Sequence, residues 1–172
     1  MNRVMSRKCL VPLLGAAALC ATPVLAQDPT AIGTFGDWTA YSYNSDGGKV
    51  CYIISQPKNS SPKDVKRDPV HFIVTHRTKG KSRNEVNTII GYPFKKGSYA
   101  TLQIDGNSYE LFTNGDGAWL DSKDKDSRVV AGMKRGRNMK VQGVSWRGTK
   151  TSDAYSLNGV TAAMKAIDDA CK

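Results

Sequence analysis

The chain has 172 residues, of which 40% are hydrophobic and 23% charged; these are ordinary values for one folded domain and exclude disorder along the whole length. Sixteen glycines, seven tyrosines and three tryptophans favour strands and turns over a helical bundle. Lys and Arg number 25 against 15 Asp and Glu, a formal charge of +10; these totals name no reaction.

Residues 1–26 read as a secretory signal. Arg3, Arg7 and Lys8 form a positive start, an apolar run covers 10–19, and Val24-Leu25-Ala26 offers small side chains to a signal peptidase. The run is too short and too rich in Ala and Gly for a membrane span, which takes about 20 residues. An uncleaved anchor or a lipoprotein at Cys20 is the competing reading, and Leu19 stands where the latter needs a small residue. Cleavage before Gln27 removes three cations and no acids, leaving 22 basic against 15 acidic side chains, a formal +7. Cys9 and Cys20 leave with the signal, so Cys51 and Cys171 remain. Two cysteines in an exported chain pair by default. No Cys-x-x-Cys spacing is present, so the pair reads as a structural staple rather than a redox site.

Residues 27–34 are short and polar, a loose leader. A strand with mixed faces follows over 35–43, then a turn at Ser45-Asp46-Gly47-Gly48 and a strand over 50–56 carrying Cys51. Three prolines make 57–69 an exposed loop. Strands are expected over 70–78 and 85–92, separated by the basic turn Thr78-Lys79-Gly80-Lys81-Ser82-Arg83. The runs 99–104 and 108–113 flank Asp105-Gly106-Asn107, a hairpin signal. A turn over 114–117 leads to Ala118-Trp119-Leu120. Over 121–135 the alternation disappears and Val129, Val130 and Met133 recur at helical spacing. Strands over 138–146 and 151–157 come next. Asn158 is the expected N-cap of a last helix, where Val160, Ala163, Met164, Ile167 and Cys171 form one stripe. Cys171 therefore lies on the buried face, within reach of a strand cysteine. The fold class is mainly β: an antiparallel sandwich or partly closed barrel, with one short internal helix and a C-terminal helix, in a single domain over 35–172.

Catalytic signals are weak. His71 and His76 are five apart on one strand, hence on opposite faces, and do not share a metal. Gly143-Val144-Ser145-Trp146-Arg147 starts like a nucleophile elbow but has Arg where the second Gly belongs. Gly80-Lys81-Ser82 imitates a phosphate loop but lacks the first Gly, since Thr75 stands there. Asp121, Asp124 and Asp126 are not spaced as a calcium loop and instead charge the start of a helix. No cofactor or reaction is assigned. The candidate anion-binding residues are Lys79, Lys81 and Arg83 in one patch, and Lys134, Arg135, Arg137 and Lys140 in another, read as separable. Lys95/Lys96 and Arg147/Lys150 add further cations. Such patches read either as ordinary solvated turns or as sites that attract an anionic partner such as lipopolysaccharide, acidic lipid or host glycan. Tyr92, Phe94 and Tyr99 near the basic pairs also suit nucleic acid, but export argues against that partner. Trp38, Trp119 and Trp146 read as core residues.

Several segments together resemble the invasion-associated locus B family of exported proteins from Gram-negative bacteria. They are Gly36-Asp37-Trp38, Cys51 in the second strand, the stretch 89–104, and the runs 136–140, 143–148, Tyr155-Ser156-Leu157-Asn158-Gly159 and 162–171. The resemblance covers nearly the whole mature chain. It implies a small β-rich envelope protein, periplasmic, outer-membrane-associated or secreted, with some members associated with host-cell invasion and no catalytic residue attached. The expectation is an envelope-binding protein. A periplasmic chaperone or inhibitor working through a strand edge, and an enzyme with a site assembled from scattered residues, are the alternatives.

Overall fold

The computed structural model describes residues 28–172; the expected signal over 1–26 lies outside the described residues. Eleven strands form one sheet. In chain order they are β1 (Thr30–Phe35), β2 (Trp38–Ser45), β3 (Gly48–Ser55), β4 (Asn59–Ser61), β5 (His71–Arg77), β6 (Ser82–Ile89), β7 (Tyr99–Ile104), β8 (Asn107–Asn114), β9 (Gly117–Trp119), β10 (Asn138–Val144) and β11 (Lys150–Ser156). Helix α1 (Lys123–Arg135) separates β9 from β10, and α2 (Val160–Ala170) follows β11. The sheet order is β1-β2-β3-β5-β6-β9-β8-β7-β10-β11-β4, and every pairing is antiparallel. The mainly antiparallel β class with an internal and a C-terminal helix is therefore what the chain adopts. The sheet does not close, because β1 and β4 are its free edges.

It does fold back on itself. The Trp38 indole Nε1 in β2 donates to the Ser156 carbonyl of β11 at 3.0 Å. Phe72 in β5 packs edge-on against both Trp38 and Tyr155, the latter in β11. The core between the two halves is built by alternation: Cys51 and Ile53 of β3, Phe72 and Val74 of β5, Leu102 of β7 and Val141 of β10 are all buried. Helix α2 packs on β1, β2 and β3, and α1 on β6. Ser122 caps α1 by accepting from the Lys125 amide.

Four expectations are corrected. The leader over 27–34 is not loose, since Thr30–Phe35 forms β1 and pairs with β2. The strand expected over 35–43 starts only at Trp38, after a turn at Gly36, whose φ is 57°. Being an edge with an exposed surface, β1 needs no alternation, which is why its pattern was silent. The loop over 57–69 contributes β4, a three-residue strand on β11. Asn158 does not cap α2. The cap position is Gly159, with φ 89° and no side-chain bond, and a Cβ there would lie 1.9 Å from the Phe35 carbonyl oxygen. Glycine is required because the β1–β2 turn crosses directly over the start of the helix.

Candidate functional site

The disulfide anchors the first site. Cys51 in β3 is bonded to Cys171 at the end of α2, with the Cα atoms 6.0 Å apart. Beside it, His76 is almost wholly buried. Its Nδ1 accepts from the Asn84 amide at 3.1 Å, so Nε2 carries the proton it donates to Asp168 Oδ1 at 2.9 Å. His71 lies on the opposite face of β5, as the odd spacing requires.

Asp168 is also where the two basic patches meet. Arg83 Nη1 lies 3.7 Å and Lys134 Nζ 3.8 Å from its carboxylate, and Arg83 Nη2 donates to the Cys171 carbonyl at 2.7 Å. The expected separation of the patches fails here, because α2 brings one acid between the two cation-bearing elements. Lys79, Lys81, Arg135 and Arg137 are exposed and Lys140 is half-buried. Lys79 reaches only the Asp46 carbonyl, at 3.5 Å. Arg135 borders a hollow of about 330 Å3 between α1 and the β7–β8 hairpin, together with Arg128 and Asp105. Asp105 is committed elsewhere, accepting from the amides of Arg137 and Asn138.

The second site lies on the sheet face turned away from the core. Tyr41 and Tyr52 stack with ring centres 5.4 Å apart, and Tyr43 meets Tyr52 edge-on. They line two adjoining grooves, of about 740 Å3 and 610 Å3, which share Pro29, Tyr52, Ile54 and His71. Ile73, Ile89 and Trp119 extend the apolar floor, and Trp119 stacks on the exposed Phe112. Burial, and then the neighbouring Tyr41 and Tyr43, push the Tyr52 phenol up, so it stays neutral and able to donate a hydrogen bond. The charged rim is paired. Lys58 bonds Asp37 and holds its carboxyl below the usual range, and Arg77 meets Glu85 at 3.3 Å. The sequence showed Tyr41 and Tyr43 alternating, but apolar residues on both faces of β2 and β3 hid which face was outward.

A third feature was absent from the sequence reading. The Arg67 guanidinium and the Asp153 carboxylate pair almost out of solvent, with Ser60 donating to the same carboxylate at 2.7 Å. Over this pair opens a cavity of about 360 Å3 lined by Tyr92, Trp146 and Arg147. Of the three tryptophans only Trp38 is fully buried; Trp119 is half-buried and Trp146 is 59% exposed, which corrects the core reading for the last. It sits in the turn between β10 and β11, two residues before Gly148 with its φ of 85°. Of the aromatics near the basic pairs, Phe94 is buried and Tyr92 bonds Thr151, leaving Tyr99 exposed.

The model of the invasion associated locus B (IalB) protein family matches residues 38–168. The chain belongs to the IalB family. Among solved structures it is similar to the crystal structure of invasion associated protein B from Bartonella henselae, at 18% identity and a TM-score of 0.57, over 82% of this chain and 97% of that one. That likeness establishes a shared fold. Among curated proteins none matches the sequence. The IalB membership agrees with the staple, since disulfides persist in oxidising compartments. No helix among the described residues is long and apolar enough to cross a membrane.

Proposed function

We propose that this IalB protein is exported and acts by binding in the bacterial envelope, using the aromatic outer face of β2, β3, β5 and β9. Export is supported by Arg3, Arg7 and Lys8, the apolar run, Val24-Leu25-Ala26 and the Cys51–Cys171 bond. The family's association with invasion supports a role in contact between the envelope and a host surface.

The carrying observation is the stacked Tyr41–Tyr52 pair over two adjoining grooves. A sheet face that served only as a boundary with water would carry polar side chains outward, whereas this one carries Tyr, Ile and Trp. Its charged groups are already paired, Lys58 with Asp37 and Arg77 with Glu85, which suits recognition more than chemistry. Stacked rings with a hydrogen-bonding rim fit a glycan, whose C–H faces lie on tyrosine rings, and the sugars of lipopolysaccharide are the envelope glycan at hand. The strand-edge alternative gains nothing from β1, because its register shifts between Ala31 and Gly33, a bulge of the kind that blocks pairing.

Titration with lipopolysaccharide-derived oligosaccharide tests the reading. Tyr52→Ser should weaken binding about tenfold, the equivalent of one lost stacking contact of about 1.4 kcal/mol. Binding unchanged in Tyr52→Ser, or absent in the wild type, overturns it. Intact mass of the envelope-purified protein should start at Gln27; a full-length cytoplasmic species overturns export.

A further inference from the structure

Trp146 is the most exposed large apolar residue among those described, yet the turn that carries it is firmly held. Ser145 N donates to Thr149 O at 2.9 Å and Gly148 N to Ser145 O at 2.8 Å. The Ser145 hydroxyl accepts from the Thr149 amide at 3.2 Å. The turn is also clamped from outside, by Trp146 N on Pro93 O at 3.0 Å and Lys95 N on Val144 O at 2.9 Å. An exposed indole is thus carried on a firmly held turn at the junction of β10 and β11.

Cations surround it. The Arg147 guanidinium lies 4.7 Å from the centre of the Trp146 ring. Val144 is bonded on one side to Lys95 and paired on the other with Lys150, which places both lysines at the base of the turn, with Lys96 next to Lys95. Lys66 lines the cavity beside Trp146, where Asp64 is the one acidic lining residue. Lys66, Lys95, Lys96, Arg147 and Lys150 are all exposed, and none is in a salt bridge with an acid among the described residues. The patches around Asp168 differ, because Arg83 and Lys134 already share that carboxylate.

We propose that the β10–β11 turn is a membrane-docking tip, with Trp146 entering the interfacial zone of an anionic bilayer and the five cations contacting lipid phosphates. Tryptophan favours the headgroup level, where its ring is apolar and its N–H is wet. Each cation near an anionic leaflet strengthens attachment about fivefold. A bilayer fits better than a soluble anion because the cavity offers no deep anion site: its buried guanidinium, Arg67, is already held by Asp153. Exposed cations spread around an exposed ring match a surface. This goes beyond the groove reading and shares with it only the envelope location.

The test uses the envelope-purified protein and two kinds of vesicle, phosphatidylglycerol mixed with phosphatidylcholine, and phosphatidylcholine alone. Sedimentation should show binding to the anionic vesicles that weakens with salt. Brominated acyl chains should quench emission of the wild type and leave Trp146→Phe unquenched. Combined K95Q/K96Q/R147Q/K150Q should lose affinity by about fivefold per cation, while K79Q/K81Q retains it; melting curves matching the wild type show that each variant is folded. Equal binding to both vesicles, undiminished binding by the four-site variant, quenching that survives Trp146→Phe, or displacement by a soluble sugar phosphate overturns the tip. Oligosaccharide binding through Tyr52 is measured without vesicles, so the two readings fail separately.

Discussion

Cys51 and His76 face each other in the β3–β5 ladder, and both hold the same helix. Cys51 is bonded to Cys171, and His76 reaches Asp168 one turn earlier in α2. A covalent and a hydrogen-bonded tie therefore run side by side from strand to helix, over a buried stripe of Val160, Ala163, Met164 and Ile167. Removing one tie should weaken the fold without abolishing it.

For the disulfide, a sequence separation of 120 gives an upper limit of about 5 kcal/mol on the chain-entropy model. The variant C51A/C171A is expected to lose about 2–4 kcal/mol and to melt roughly 5–15 °C lower. Adding His76→Ala should leave the Asn84 amide unpaired, at a further cost of about 1–3 kcal/mol. Hydrogen exchange of the α2 amides should accelerate first. A double loss that leaves α2 protected while the rest of the sheet opens would contradict this.

Arg67 and Asp153 are buried partners far apart in the chain. Arg67→Met or Asp153→Leu alone strands the other charge and should cost about 3–5 kcal/mol, while the double variant should recover much of the loss. Chemical denaturation of the three variants checks this, and additive losses would show that the pair is not the unit.

Asp126 on α1 accepts from the Val86 amide at 3.0 Å, but burial, helped by Glu85 and Asp121, raises its carboxyl pKa above the ordinary aspartate value of 3.8. Because the folded value is the higher one, ionisation opposes folding: the penalty is absent below pH 3.8, grows as pH climbs to the folded value, and is complete above it. Asp126→Asn keeps an acceptor for Val86 and escapes the penalty, so it should be more stable than wild type at pH 7 and equal to it near pH 3. Asp126→Ala should instead lose about 1–3 kcal/mol at both pH values. A stability gap between Asn and Asp that ignores pH would refute the assignment.

Gly159 admits no side chain, since its φ is 89° and the Phe35 carbonyl fills the Cβ position. Gly159→Ala should cost more than about 2 kcal/mol, whereas Asn158→Ala should change little, because the Asn158 side chain caps nothing. Thermal melts of the two variants should separate clearly; equal melts would restore Asn158 as the cap.

The elements legible in the sequence are those whose own residues report their burial. Alternation in β5 and β7, the Asp105-Gly106 turn with φ 42° and 92°, and the helical stripes of α1 and α2 all arise within one segment, where side-chain period and backbone geometry are the same fact. The cysteine pairing was legible for a different reason: only two cysteines lie beyond the expected signal over 1–26, and one lies on the buried stripe. Tertiary structure alone decided the edges and the sites. β1 and β4 carry little of the core, so pairing with β2 and β11 had no local signature. Asp168 gathers His76, Arg83 and Lys134, and Arg67 meets Asp153, across sequence distances where no periodicity operates. The outward face of the tyrosines, and the glycine rather than asparagine at the start of α2, depended on how the sheet folds back on itself. A residue's local pattern records that it is buried or exposed; which distant residue it meets is set by packing alone.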